Sequence, residues 1–200
     1  MSTTIKELLQ LFGAVTVMDI HVYKIKEGSK YGTNTLNKNF FVNTGLCLDT
    51  LKITNIKQNA AKKQFPVGLF NIPLIRTGKT FSIDIQDALG RIETLQHFCG
   101  GKIDSSEQIF SFSNDFAAPL CLEGTTWVVD LNGNKKQLWI TIPCFFPKSV
   151  FNLNLQADGE AGVFDLSGDV YPVVWNEGEG LQHIILSTSP LVGVWEQKNE

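Results

Sequence analysis

The second half of the chain consists of short runs in which apolar and polar residues alternate, and this pattern restricts the chain to a fold made of strands. Ile109 to Ser113, Phe151 to Gln156 and Phe164 to Asp169 all alternate in this way. Such alternation is typical of strands with one buried face. The segment Asn132-Gly133-Asn134 supplies a hairpin turn. The sequence therefore predicts an antiparallel β-meander, with no internal repeat.

The residue composition supports the same fold class. The chain has 14 Phe, four Trp and 17 Gly but only two Met, which suits packed strands better than a helical bundle. Across the predicted hairpin turn we expect two apolar sets to meet: Trp127, Val129 and Leu131 on one strand, and Leu138, Ile140 and Ile142 on the other. Seven or eight strands and one flanking helix predict a mainly β fold, an antiparallel β-sandwich or partly open barrel with extended arms.

One segment switches from the period of a strand to that of a helix. Phe81, Ile83 and Ile85 alternate with polar residues and predict a half-buried strand. Asp87 can then cap a helix that ends at Gly100-Gly101. Its predicted buried stripe consists of Leu89, Ile92, Leu95 and Phe98.

The N-terminal residues predict a short amphipathic helix followed by a strand. Thr4 and Glu7 match a capping box, and Gly13 suits the C-terminal end of the helix. The apolar stripe of this helix consists of Ile5, Leu8, Leu9 and Phe12. A helix this short is marginal alone and must dock on a surface. The segment 16–24 then predicts a strand whose inward residues are Met18, Ile20 and Val22.

Two polar stretches interrupt this pattern and predict loops. Residues 27–45 are rich in Gly and Asn, with an apolar anchor at 40–42, and residues 54–80 form a long basic loop. Two prolines in 66–73 exclude a central strand there. We therefore expect residues 1–200 to form a single β domain. Its appendages are an N-terminal arm or helix at 1–15, the loop at 54–80 and a C-terminal extension at 176–200.

Charge is distributed unevenly along the chain. Residues 1–100 hold 12 Lys and Arg against 7 Asp and Glu, whereas residues 101–200 hold 5 against 13. The net charge of −3 and the pI of about 5.6 argue against a general DNA-binding surface. The asymmetry is compatible with ordinary surface solvation or with attraction between copies of the chain.

The sequence lacks the residue patterns of common catalytic and metal sites. Its three His stand apart, and its four Cys show no zinc spacing, so no metal and no cofactor are expected. Gly78-Lys79-Thr80 resembles the end of a phosphate-binding loop, but Pro73 stands where that motif needs Gly. The N-terminus shows no signal peptide, and we expect folding in a reducing cytoplasm with buried free thiols. We expect no enzymatic activity.

Two carboxylates of the predicted meander, Asp165 and Asp169, are expected to share a strand face with Asn152 and Asn154. A glycosidase pair is the sharper interpretation, but no apolar pocket is evident to raise the pKa of one carboxyl group. A polar solvent-facing surface is the simpler one. If copies joined edge to edge, the same face would line a channel whose acidic and neutral groups let DNA slide past.

The order of elements from about residue 46 to 172 resembles the phage major tail protein, or tail tube protein, family of long-tailed bacterial viruses. A strand, a long loop, the segment Lys79 to Gly101 and a β-meander follow one another in that family's order. The most suggestive piece runs from Phe145-Phe146-Pro147-Lys148 through Ala157-Asp158-Gly159-Glu160-Ala161-Gly162 to Pro172. A similar stretch closes the inner sheet in such proteins.

The resemblance implies a non-enzymatic structural protein of the virion tail, assembled in the host cytoplasm. Its partners would be further copies in stacked, hexameric rings, other tail proteins such as the tape measure, terminator and distal tail proteins, and DNA in passage, with no membrane. Residues 152, 154, 165 and 169 would face the channel. Basic and apolar residues would contact an acidic surface of the next ring, and the candidate contacts are Ile5, Leu8, Leu9, Phe12, Lys57, Lys62, Lys63, Arg76, Lys79, Glu177 and Glu179.

Two alternative functions remain open from the sequence. A distal-tail or baseplate β-protein would form one closed ring without a polymer. A carbohydrate-binding β-sandwich would present aromatic residues on one face, and its candidates are Trp127, Trp139, Trp175 and Trp195.

Overall fold

A computed structural model describes most of the chain, in segments that cover every strand of the main sheet. The described residues are 12–14, 17–26, 35–36, 41–48, 51–67, 70–87, 92–104, 106, 109–112, 116–129, 133–154, 163–175 and 181–193. In chain order the elements are β1 (Phe12–Ala14), β2 (Met18–Ile25), β3 (Thr35–Leu36), β4 (Phe41–Leu48), β5 (Leu51–Val67), β6 (Phe70–Asp87), α1 (Ile92–Cys99), β7 (Gly101–Asp104), β8 (Ile109–Phe112), β9 (Leu120–Val129), β10 (Lys135–Asn154), β11 (Val163–Val170), β12 (Val173–Trp175), β13 (Leu181–Gln182) and β14 (Ile185–Ser187). Within these described residues no helix is long and apolar enough to cross a membrane.

One large antiparallel sheet dominates the structure. Its strand order is β4-β2-β9-β10-β11-β6-β5, with β1 added to β9 and β14 to β10. The sheet curls until the backbone N–H of Ile53 donates to the carbonyl of Val17 at 3.3 Å. This one bridge does not close a barrel. The predicted fold class, mainly β with a sandwich-like or partly open barrel architecture and one flanking helix, is confirmed.

The main hydrophobic core lies on the concave side of the curled sheet. It draws residues from six strands, Val17 immediately before β2 and two residues from α1: Val17, Ile20, Val22, Ile53, Ile83, Ile85, Phe98, Cys99, Leu120, Leu122, Ile140, Ile142, Phe145, Leu166 and Val170. The Phe98 ring packs against Phe145 at a centroid distance of 6.0 Å. The helix therefore packs against β10 on the core side of the sheet, and burial of this apolar surface stabilises the fold.

The predicted helix is confirmed, but its buried side is rotated from the predicted stripe. Phe98 is buried and Leu95 packs against the core, whereas Ile92 is 50% exposed. Thr94 is buried instead, because residues one turn before Phe98 share its face. The helix ends as predicted at Gly100, whose φ of 76° suits glycine. The predicted capping residue Asp87 is the last residue of β6.

The meander β9-β10-β11 is confirmed, with two corrections. Gly133 lies in the β9-β10 turn with φ 81°, but Leu138 pairs with Thr126 and Trp127 pairs with Gln137. Because register partners share a face, Trp127 lies on the side of the sheet opposite Leu138. In addition, β10 is one strand of 20 residues where the sequence predicted two. It stays continuous through register shifts near its two prolines, which cannot donate to a ladder.

The predicted loop at 27–45 is wrong in its second part. Residues 41–48 form β4, which pairs with β2. Phe41 is buried and stacks on Trp175 at a centroid distance of 5.8 Å. The predicted strand at 16–24 is confirmed as β2, but Tyr23 is buried as well as Ile20 and Val22, so both faces of β2 are covered.

The predicted loop at 54–80 is also wrong. These residues belong to the β5-β6 hairpin, which pairs from Leu51 and Asp87 to Val67 and Phe70. The prediction that the two prolines exclude a central strand agrees with the pairing. β5, which holds Pro66, is the end strand of the sheet. Residues 70–80 of β6, which include Pro73, pair with β5 alone among the described strands.

Both ends of the chain differ in part from expectation. Residues 1–11, which carry most of the predicted N-terminal helix, lie outside the described residues. Phe12 belongs to β1 and pairs with Val129, so it is not the end of a helix. Within the predicted extension 176–200, β14 pairs with β10 across residues 139–141.

Candidate functional site: the polar sheet face and the ribbon

The outward side of β5, β6, β10 and β11, which we term the polar face, carries the carboxylates singled out in the sequence. Register pairs join β6 to β11 here: Ser82 with Asp169, Asp84 with Ser167, and Gln86 with Asp165. The intervening residues, such as Ile83, Ile85 and Leu166, point into the core. Along β6 and β11 the polar face is thus the solvent side of two regularly alternating strands.

Each described carboxylate on the polar face has a partner. The Lys57 Nζ lies 2.8 Å from the Asp84 Oδ2. Gln86 donates from Nε2 to the Asp165 Oδ1 at 3.1 Å, and the Lys148 Nζ lies 3.5 Å from the Asp169 Oδ1. Half-exposed pairs of this kind contribute about 0–1 kcal/mol each. Their larger effect is to offset charge along a surface that would otherwise be acidic.

The candidate channel residues occupy one face by register. Asn152 pairs with Asp165, and Asn154 pairs with Val163, two residues from Asp165 on the same strand. Asp169 lies two positions beyond Ser167 on that strand. The predicted sharing of a face is confirmed by this backbone register, whereas the channel itself stays a prediction.

The hairpin of β5 and β6 continues well beyond the rest of the sheet. β11 pairs with β6 from Phe81 to Asp87, and past that point the two strands pair with each other. We term residues 59–67 and 70–80 the ribbon. At about 3.3 Å per residue, the 11 residues of its β6 strand span roughly 35 Å. Among the described strands none covers either of its edges.

The ribbon brings most of the basic stacking candidates together. Lys62 is the register partner of Arg76, Lys63 of Ile75, and Lys79 of Ala60. Like charges directly opposite each other weaken a strand pair. At its described end lie the apolar residues Phe65, Pro66, Val67 and Phe70. The ribbon therefore combines a basic stem with an apolar end.

The remaining stacking candidates do not join this group. Lys57 lies at the base of the ribbon and pairs with Asp84 of its own chain. Phe12 pairs with Val129 on β9, and β9 is separated from β6 by two strands. The other candidates lie outside the described residues: Ile5, Leu8, Leu9, Glu177 and Glu179.

Sequence reasoning missed a buried carboxylate on β9. Glu123 has no exposed surface. Its Oε1 accepts hydrogen bonds from the Thr141 hydroxyl at 2.9 Å and from the backbone N–H groups of Leu191 at 2.7 Å and Val192 at 3.1 Å, and its Oε2 accepts from Gly193 at 3.2 Å. A lone Glu directly after the apolar run 120–122 was the available signal, since buried charges need partners.

The titratable groups near Glu123 are shifted by burial and are poorly suited to catalysis. Burial lowers the pKa of His21, the register partner of Glu123, to about 3, so that its imidazole is neutral. Burial raises the pKa of Cys144 to about 12 and that of Cys121 well above its usual range. Thiols held in the protonated form are weak nucleophiles. The expectation of buried free thiols is confirmed for Cys99, Cys121 and Cys144.

The structure gives little support to the other kinds of chemical site that the sequence raised. Gly78-Lys79-Thr80 lies within β6 and does not lead into a helix, in agreement with the rejection of a phosphate-binding loop. No group of three His, Cys, Asp or Glu suited to a metal ion occurs among the described residues. Of the tryptophans proposed for carbohydrate binding, Trp175 is buried, Trp127 is 40% exposed and Trp195 lies outside the described part.

Comparison with the models of known protein families finds no match to this chain, and comparison with curated proteins finds no relative.

Proposed function

We propose that this chain is a self-assembling structural subunit of a bacteriophage tail tube, in which rings of copies stack around a channel for DNA. The observation that carries the proposal is the ribbon. An isolated two-stranded ribbon is at best marginally stable in water. A projection of about 35 Å with an apolar end therefore calls for a surface on a neighbouring molecule to cover it.

The charges of the ribbon indicate the character of that surface. Lys62 and Arg76 are register partners, and like charges at opposed positions of a strand pair are destabilising unless a carboxylate offsets them. The second half of the chain holds the excess of acidic residues, so another copy provides such carboxylates. A contact between two different patches of identical subunits propagates as a ring or a filament.

The polar face suits the wall of the channel. Lys57 and Lys148 are each paired with a carboxylate and so offer a phosphate backbone less unpaired positive charge to grip. The other groups that the β6-β11 pair places on this face are hydroxyls, an amide and carboxylates, which leave DNA free to slide. β4 and the part of β5 beyond its bridge at Ile53 supply the edges through which neighbouring sheets join into a continuous wall.

Electron microscopy of the purified full chain over a range of concentrations tests this proposal. We expect rings or filaments of uniform width that grow with concentration. The paired substitution Lys62→Glu and Lys63→Glu abolishes stacking, because it reverses the charge of the stem. It leaves the ribbon intact, since Glu at 62 opposite Arg76 is an attractive pair.

A matched double charge reversal at Lys135 and Lys136, which begin β10 at the far end of the meander hairpin, serves as the control and leaves assembly unchanged. A wild-type chain that stays monomeric at high concentration would overturn the proposal. Single closed rings that never polymerise identify the distal-tail or baseplate alternative instead.

A further inference from the structure

A cavity of about 470 Å³ lies where β11 ends and β6 continues into the ribbon. Its walls come from β6, from the β10-β11 pair and from residues 181–193, which we term the C-terminal segment. The lining includes Phe81, Ser82, Lys148, Asp169, Tyr171 and His183. Sites for small molecules in proteins have volumes of about 300–1,000 Å³. The cavity is therefore large enough for a small organic ligand.

Two aromatic pairs shape the apolar part of this cavity. The Phe81 ring packs against His183 at a centroid distance of 4.8 Å. Tyr171 packs against Phe146 at 4.6 Å and is nevertheless 52% exposed. A ring that is supported from behind and open in front presents a rigid flat surface, which suits the C–H face of a ligand ring.

The polar part of the cavity is an ion pair whose two groups have hydrogen-bonding capacity for a ligand. The Lys148 Nζ and the Asp169 Oδ1 are 3.5 Å apart, beyond the 2.7–2.9 Å or so of a good charge-assisted hydrogen bond. The ammonium group can only donate, and the carboxylate can only accept. A ligand hydroxyl does both, so a single hydroxyl can accept from Lys148 and donate to Asp169. Ser82 adds a further hydroxyl to the lining.

We propose that this cavity binds a neutral saccharide. One sugar ring packs against Tyr171, and its hydroxyl groups bridge Lys148 and Asp169. Asp169 disfavours an anionic ligand and Lys148 a cationic one, whereas a neutral polyol uses both groups at once. The proposal goes beyond the tube function and does not rest on it, because the cavity is formed within one chain.

Saturation-transfer NMR on the full chain tests this binding with glucose, galactose and N-acetylglucosamine as probes, alongside glucose 6-phosphate and adenosine. We expect at least one neutral sugar to bind at millimolar concentration. Asp169→Ala and Tyr171→Ala each weaken that binding about tenfold or more, as expected for loss of a hydrogen bond to a charged group or of a stacking surface. Tyr171→Phe keeps the ring and retains the binding.

Asp84→Ala is the matched control, because Asp84 forms an ion pair of the same kind on the same face but outside the cavity. It leaves sugar binding unchanged. Three results would each overturn the proposal: no neutral sugar binds the wild type, Asp169→Ala and Tyr171→Ala bind as well as the wild type, or the phosphate ester or the nucleoside binds better than every sugar. Because the measurement does not involve rings or filaments, its outcome is independent of the assembly test.

Discussion

The buried carboxylate of Glu123 accepts a hydrogen bond of 2.7 Å from the backbone N–H of Leu191, 68 residues later in the chain. The N–H groups of the next two residues converge on the same carboxylate. Successive N–H groups that surround an anion form a stable nest. The C-terminal segment is thereby fastened across β9 and covers a second apolar cluster, which includes Tyr23, Cys121, Cys144, Val173 and Trp175.

Glu123→Ala destabilises the protein by about 3 kcal/mol or more, because each buried donor left without an acceptor costs about 1–3 kcal/mol. Three backbone N–H groups and the Thr141 hydroxyl lose their acceptor together. Urea unfolding of the variant and the wild type measures the difference. Asp84→Ala, which removes an exposed ion pair, is the comparison and costs less than about 1 kcal/mol. Equal losses in the two variants would contradict a fastening role for Glu123.

Thiol labelling followed site by site with mass spectrometry reports whether the C-terminal segment is released. In the wild type Cys121 and Cys144 are fully buried and have raised pKa values, so they react slowly at neutral pH. In Glu123→Ala both react faster, because the segment that covers their cluster is no longer held. Cys99 lies in the main core and keeps its slow reaction. Acceleration at Cys99 to the same extent would indicate general unfolding instead.

Stability falls as the pH drops from about 6.5 towards 3, because of His21. Its pKa is lowered from 6.5 to about 3 in the folded chain by burial. In this window the unfolded chain binds the proton and the folded chain does not, so the contribution present above pH 6.5 is lost on acidification. The slope is at most about 1.4 kcal/mol per pH unit and is reduced because the ring is only partly buried.

His21→Asn removes this titration and flattens the dependence of the unfolding free energy on pH between 6.5 and 4. Urea unfolding at several pH values, with the wild type in parallel, gives the comparison. Parallel curves for the two proteins would show that His21 titrates normally in the folded chain.

Gly168→Ala destabilises the protein by about 1–3 kcal/mol through overpacking. A Cβ at Gly168 would lie 2.3 Å from the Phe145 ring and 2.6 Å from the carbonyl oxygen of Phe146. Gly133, which has φ +81° and no atom within 4 Å of a Cβ, is the matched position. Gly133→Asn is tolerated, because Asn adopts that conformation readily. Thermal unfolding distinguishes the two, and a tolerated Gly168→Ala would mean that the Phe145 ring can move aside.

Local patterning explains which parts of the fold could be predicted. In β11 and in parts of β10 apolar and polar residues alternate, and Gly133 allows the turn between β9 and β10, so this information lies within each segment. The stop at Gly100 is equally local, since it depends on one residue's freedom to adopt φ 76°. The ribbon shows no such pattern, because its residues pair with each other and not over the core. Its Lys, Asn and Pro residues therefore predicted a loop.

The parts of the candidate sites that could be predicted also depend on patterns within a single strand. The shared face of Asp165 and Asp169 follows from alternation within one strand, whereas their partners Gln86 and Lys148 come from other strands. The cavity depends on His183, which is brought to Phe81 by the return of the C-terminal segment. Glu123 is bound by backbone N–H groups, which carry no side-chain signature, so the sequence indicated that Glu123 needs partners but not which residues supply them.

The sequence by itself determined the fold class, the meander, the helix and its end, and the positions that share the polar face, because each of these depends on contacts between near neighbours in the chain. Tertiary structure alone decided the pairing of the ribbon, the burial of Glu123, the lowered pKa of His21 and the cavity beside Tyr171. These features depend on strand order and on the curling of the sheet. Both are set by the burial of apolar side chains from strands distant in sequence.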